Sequence, residues 1–197
     1  AAMKAFLGRH PETVRALAII GTRTATAGFA DSTFNSLDAF RLADAGGRST
    51  PVRWSAVPLD PPAVDSSIPP ASTGENYLFD ELIAQIHQRP LKWRLMITVG
   101  RAADPTADAT LPWPADRAQI DAGTVTLDGV SSEDGGPCTD INYDPMVLPA
   151  GIEPSDDPLL SARSAAYARS FTLRAAERRS KPPSAVTPSQ IRRAGGP

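Results

Sequence analysis

The sequence has one cysteine, Cys138, which excludes an intramolecular disulfide and any cysteine-rich metal site. It has two histidines, His10 and His87, too few for a multi-histidine metal centre. No charge sign is in large excess: a formal net charge of -2 argues against nucleic-acid binding, which needs a basic surface. No apolar run approaches the ~20 residues of a membrane span, and no signal peptide is visible. Internal repeats, a glycine-rich phosphate loop and a Gly-x-Ser-x-Gly elbow are missing too. What remains, 41% hydrophobic and 21% charged over 197 residues, suits one soluble globular domain with a real core.

The 20 prolines fall mainly in connections between periodic segments. Pro11 to Ile20 reads as a short amphipathic helix ended by Gly21, with His10 before it at the surface. Residues 22–32 read as a connection and Phe34 to Ala43 as a strand. Asp44-Ala45-Gly46-Gly47 supplies the positive-φ positions of a hairpin turn. The return strand, Pro51 to Val57, alternates Val52 and Trp54 with Arg53 and Ser55. Residues 58–74 read as an irregular connection. Asn76 to Gln88 then forms a helix with an apolar stripe of Leu78, Leu82, Ile83 and Ile86, stopped by Pro90. In Leu91 to Val99, Leu91, Trp93, Leu95, Ile97 and Val99 share one strand face, with Lys92, Arg94 and Thr98 on the other. A loop over 100–118 precedes a strand from Ile120 to Val130, and Asp140 to Ile152 is extended. Strands joined by hairpins, with helices set apart, indicate an α+β domain with an antiparallel sheet or barrel.

The last helix, Asp157 to Arg174, carries the chemistry. Ser155 or Asp156 is expected to cap it, Pro158 sits in its first turn, and alanine is dense through its middle. Arg163 and Tyr167 are i, i+4 neighbours, and Arg174 returns to nearly the same angle two turns later. A guanidinium one turn from a phenol favours the phenolate, a hard anionic ligand for ferric iron of the kind found in tyrosine-ligated haem. Alone, Arg-x-x-x-Tyr more often marks a half-buried tyrosine beside a solvated arginine. Asp156 and Asp157 read as helix-start residues rather than a catalytic carboxylate pair, since adjacent side chains diverge. Trp54, Trp93 and Trp113 read as core. Cys138 lies in a loop without an evident cationic neighbour, so no reactive thiolate is expected.

What precedes the helix changes the weighing. Asp140 to Leu160, running into Ser161-Ala162-Arg163-Ser164-Ala165-Ala166-Tyr167, resembles the proximal-ligand region of the haem-containing catalases, most closely their short catalase-related peroxidase branch. Phe34 to Trp54 resembles that family's barrel hairpin. Leu91 to Val99, Asp104-Pro105-Thr106, Leu111-Pro112-Trp113-Pro114 and Gly123-Thr124-Val125 resemble the second half of its barrel. The likeness runs from about Pro11 to Arg174 in the family's order and spacing. It implies an α+β fold, the second half of a catalase-type antiparallel β-barrel with flanking helices, including the proximal haem-ligand helix. It implies haem b, with Tyr167 as the axial ligand to iron and Arg163 holding the phenolate. Arg174 would contact a propionate about 10 Å from the metal, and Pro145, Leu159 and Ala166 would pack beneath the porphyrin. The implied activity is haem-dependent reduction of hydrogen peroxide or organic hydroperoxides by a small external electron donor. Neither nucleic acid nor membrane is implied, and homo-oligomerisation is left open.

The departures from the family pattern are equally specific. The distal histidine and asparagine have no counterpart: His10, His87, Asn35 and Asn76 stand in the wrong contexts. With the abrupt Ala1 start, the expectation is a C-terminal portion of a longer peroxidase, with a partial catalase-like core domain over 1–177. A basic, disordered tail is expected over 178–197. The competing expectation is a non-enzymatic product, either a haem-binding remnant or a haem-free partner pairing its open sheet edge with another chain. Rearrangement of fatty-acid hydroperoxides on the same proximal ligand is a third. Cytoplasm and periplasm are both compatible with the sequence.

Overall fold

A computed structural model describes residues 2–23, 26–60, 76–132, 140–177, 189 and 191. Two helices open it, α1 (Ala2–Arg9) and α2 (Pro11–Gly21), followed by strands β1 (Phe34–Asn35), β2 (Phe40–Ala43) and β3 (Ser49–Pro58). Helix α3 (Tyr77–Gln88) leads to β4 (Leu91–Val99) and β5 (Gln119–Leu127), then β6 (Ile152–Pro154) and α4 (Pro158–Glu177). Among the described residues the strands form one antiparallel sheet in the order β5-β4-β3-β2-β6, with β1 also on β3. The sheet therefore ends at β5 and at β6 and is open among these residues.

The alternation in β4 does what its period dictates: Leu91 and Trp93 are buried while Lys92 and Arg94 face solvent. Ile86 of α3 and Ala30 pack on this pair, with Ala56, Leu82 and Val130 at the margin. Each such apolar side chain removed from water contributes about 1.5–3 kcal/mol. The hairpin between β2 and β3 turns where the glycines predict. Gly47 adopts φ 78, and the Asp44 carboxylate accepts the N–H groups of Gly46 and Arg48, both at 2.9 Å.

The expected strand from Phe34 to Ala43 is broken. Asn35 pairs with Ser55 and Phe40 with Val52, so Ser36–Ala39 stand opposite only Arg53 and Trp54. Two extra residues must bulge out of the ladder. Ser36 anchors the bulge: its N–H donates to the Trp54 carbonyl at 2.8 Å, and its hydroxyl accepts the Trp54 N–H at 2.9 Å. The bulge turns Asp38 and Ala39 into the interior.

Other expectations also shift. The end of the extended 140–152 segment becomes strand β6, which pairs Ile152 with Leu42 and Pro154 with Phe40. Trp54 does not belong to the core. With Phe29, Phe34, Trp93, Leu95, Val125 and Leu127 it lines an apolar cavity of about 390 Å³ open to solvent. Every residue of β5 is exposed. Trp113 is half-buried, its ring lying so close to Gly100 that a Cβ there would meet it at 2.7 Å. Among the described residues no helix is long and apolar enough to cross a membrane. Cys138, the connection at 61–75 and nearly all of the tail beyond 177 lie outside the described residues.

Candidate functional site

Helix α4 starts one residue later than the sequence suggested. Its cap is Asp157, whose Oδ1 accepts the Leu159 N–H at 2.9 Å; Ser155 supports it by accepting the Asp157 N–H. Asp156 points elsewhere and accepts the Thr106 hydroxyl at 2.5 Å. From this start, Leu159, Arg163, Ala166, Tyr167 and Arg174 fall within about 100° of one another around the helix. Leu159 and Ala166 leave an apolar, exposed strip on that face. Pro145 lies half-buried in a turn that Asp144 fastens to α4, accepting the Ser164 hydroxyl at 2.7 Å and the Met146 N–H at 2.8 Å.

Arg163 joins α4 to the β1–β2 bulge. Its Nη2 donates to the Tyr167 oxygen at 2.5 Å, while its Nη1 donates to Asp38 Oδ2 at 2.6 Å. The Tyr167 bond and, behind it, Asp38 raise the Arg163 guanidinium above its ordinary range, against the opposing effect of burial. The Tyr167 oxygen thus faces a guanidinium that is itself anchored on a buried carboxylate. Arg174 is tied down differently. Its Nη2 donates to the Ile141 carbonyl at 2.8 Å, and its Nε is buried without a protein partner.

The structure thus places Arg163 and Tyr167 in contact and sets Arg174, Leu159 and Ala166 on the same helix face. Asp38 was missed. It is 2% exposed and lies 125 residues from its partner, and its position depends on a bulge that no local motif announces. The remaining polar candidates lie elsewhere. His10 pairs with Glu12 at 2.8 Å, and His87 is exposed in the last turn of α3. Asn35 is exposed in β1, and Asn76 precedes α3 without capping it through its side chain. Among the described residues no group of three or more His, Cys, Asp or Glu could hold a metal ion.

No family model matches the chain. A catalase-related peroxidase of Synechococcus elongatus is 35% identical over 172 residues, covering 87% of this chain and 51% of the relative. A catalase-related peroxidase of Mycolicibacterium paratuberculosis is 30% identical over 166 residues, covering 84% and 53%. The chain belongs to the catalase family. It spans about half the length of the curated relatives it matches. The α+β architecture is also that of the catalases: a bacterial catalase superposes with a TM-score of 0.70 at 20% identity, over 89% of this chain and 37% of that one. Asp38, in the bulge between β1 and β2, is the residue that ties the sheet to the tyrosine helix, through Arg163.

Proposed function

We propose that this catalase-family chain provides the proximal side of a haem-dependent peroxidase site. The observation that carries the reading is the Arg163–Tyr167 hydrogen bond, on a helix face that also presents Leu159 and Ala166 to solvent. The donor set fits a ferric porphyrin: one phenol oxygen backed by a cation, and apolar side chains around it. Tyr167 would hold the iron of haem b through its phenol oxygen, and Arg163 would donate to that oxygen. Leu159, Ala166 and Pro145 would meet the underside of the ring. Arg174 has one nitrogen committed to Ile141, which leaves its other donors for a propionate. Bound haem supplies the redox chemistry, reductive cleavage of the O–O bond of hydrogen peroxide or an organic hydroperoxide with electrons from a small external donor. Asp38 restrains Arg163, and Arg163 donates to the Tyr167 oxygen. The proton-handling distal histidine and asparagine have no match in this sequence, so the proposal assigns residues to the proximal side.

Titrating haemin into the purified chain tests this. The expected result is a saturable tyrosine-ligated ferric spectrum in the parent and none in Tyr167→Phe. Equal spectra in both would overturn the assignment.

A second reading, a non-enzymatic product that pairs with another chain, is favoured by β5. Among the described residues that strand pairs only with β4; it exposes Ile120, Val125 and Leu127 and borders the open apolar cavity. An unpaired nine-residue edge is a template for a further strand. Light scattering across a concentration series distinguishes the readings: assembly lost in Val125→Lys, with no haemin bound by the parent, would favour this one.

A further inference from the structure

We propose that Arg53 is a positioning residue for the Arg163–Tyr167 pair, acting through Asp38 and Asp157. Arg53 lies on β3 beside the β1–β2 bulge. Asp38 lies in that bulge, which stands opposite Arg53 and Trp54 of β3. The guanidinium is oriented by two contacts. Its Nη1 donates to the Leu111 carbonyl at 2.9 Å, and its plane lies over the Trp113 ring at 4.7 Å. Trp113 is itself held by its Nε1 on the Pro105 carbonyl at 2.7 Å.

What remains of Arg53 has matching counterparts. Its Nε and Nη2 are buried without a hydrogen-bond partner among the described residues, and so are Asp38 Oδ1 and Asp157 Oδ2. Two cationic donors and two anionic acceptors are therefore left unmatched in one region, where leaving each alone is costly. Burial lowers Arg53 from its ordinary range, and the carboxylates opposing that are, in order, Asp157, Asp38, Asp104 and Asp108. The last two have their hydrogen bonds elsewhere: Asp104 is gripped by Arg117, and Asp108 accepts the N–H and hydroxyl of Thr110. Asp38 and Asp157 each use one oxygen on the tyrosine helix, on Arg163 and on the Leu159 N–H, and turn the other away. A single cation facing both free oxygens fixes the start of α4 and the arginine one turn further on together.

The inference about placement stands on the protein alone; its consequence for haem rests on the reading of Tyr167 as a ligand. The test therefore begins with the haem-free chain. Nuclear magnetic resonance of Arg53→Met is expected to show amide exchange at Leu159 at least tenfold faster and a loss of the hydrogen-bonded Arg163 guanidinium signal. Arg53→Lys, which keeps the charge, should restore most of both. In an Asp38→Asn background, Arg53→Met should change the Arg163 signal no further. Unchanged signals in Arg53→Met, or equal losses in both backgrounds, would overturn the proposal and leave Arg53 a packing partner of Trp113. Should Arg53→Met fail to fold, Arg53→Lys decides: a retained Arg163 signal supports the charge role, and a lost one refutes it. Haemin titration of the same variants comes last. If the parent takes up no haemin, the Tyr167 reading fails, while the resonance data still decide Arg53.

Discussion

Two arginine–aspartate pairs reach into this molecule, and they are built in opposite ways. Asp104 gives both carboxylate oxygens to Arg117, to Nε and Nη2 at 2.7 Å each, and also accepts the Arg101 N–H. Its side chain is 4% exposed and that of Arg117 10%, and Arg117 spends its last nitrogen on Asp116. Asp38, equally buried, gives Arg163 one oxygen and leaves the other without a protein partner. Arg163 is 41% exposed and carries its charge onward to a phenol. The bidentate pair is saturated and closes the loop over 100–118 on itself. The open pair leaves Arg163 free to donate onward to the half-buried Tyr167 oxygen.

The comparison can be broken from either side. The largest expected effect is Arg117→Met, which leaves Asp104 buried and uncompensated. The variant should melt far below the parent, if it folds at all, and calorimetry checks this. The same pair sets an acid limb. Arg117, helped by the Arg101 N–H, lowers the Asp104 carboxyl from 3.8 to about 2. A depressed folded-state value adds stability that is fully present above pH 3.8 and lost as pH falls through about 2. Asp104→Asn should remove that part of the slope in thermal melts taken across this range.

Arg163→Met should come next. It removes the donor from the Tyr167 oxygen, so haemin titration should show binding weakened about a hundredfold, the usual scale for losing a preorganised charge-stabilising donor. Its melting temperature should fall far less than that of Arg117→Met, because Arg163 is partly exposed. Asp38→Asn should cost about 1–2 kcal/mol in urea unfolding, the net loss of one charge-assisted hydrogen bond. The smallest effect belongs to a surface pair. Arg94 and Asp121 meet at 3.3 Å with both side chains half-exposed. Arg94→Ala should shift stability by less than about 0.5 kcal/mol. A large loss there would mean that exposed pairs hold β5 to β4 and would blur the contrast between the two buried ones.

Much of the scaffold was legible. The period-two pattern of Leu91 to Val99 announced β4 to the residue, and Gly46-Gly47 announced the hairpin. The Arg163–Tyr167 contact was legible because four residues on a helix always bring two side chains to one face. Less legible were the strand break before Phe40, the move of the cap to Asp157 and the exposure of Trp54. Each depends on what lies opposite in the sheet or fails to lie over it. Propensity and period are blind to that.

By itself the sequence determined the helix that carries Tyr167, the alternation of the central strands and, through matching motifs in order, the family. Those are local properties, set by backbone geometry and by side-chain spacing along one element. Only the tertiary structure decided that Asp38 meets Arg163. That contact requires a two-residue bulge and a chain closure over 125 residues, and such contacts leave no trace in the spacing of residues along a strand.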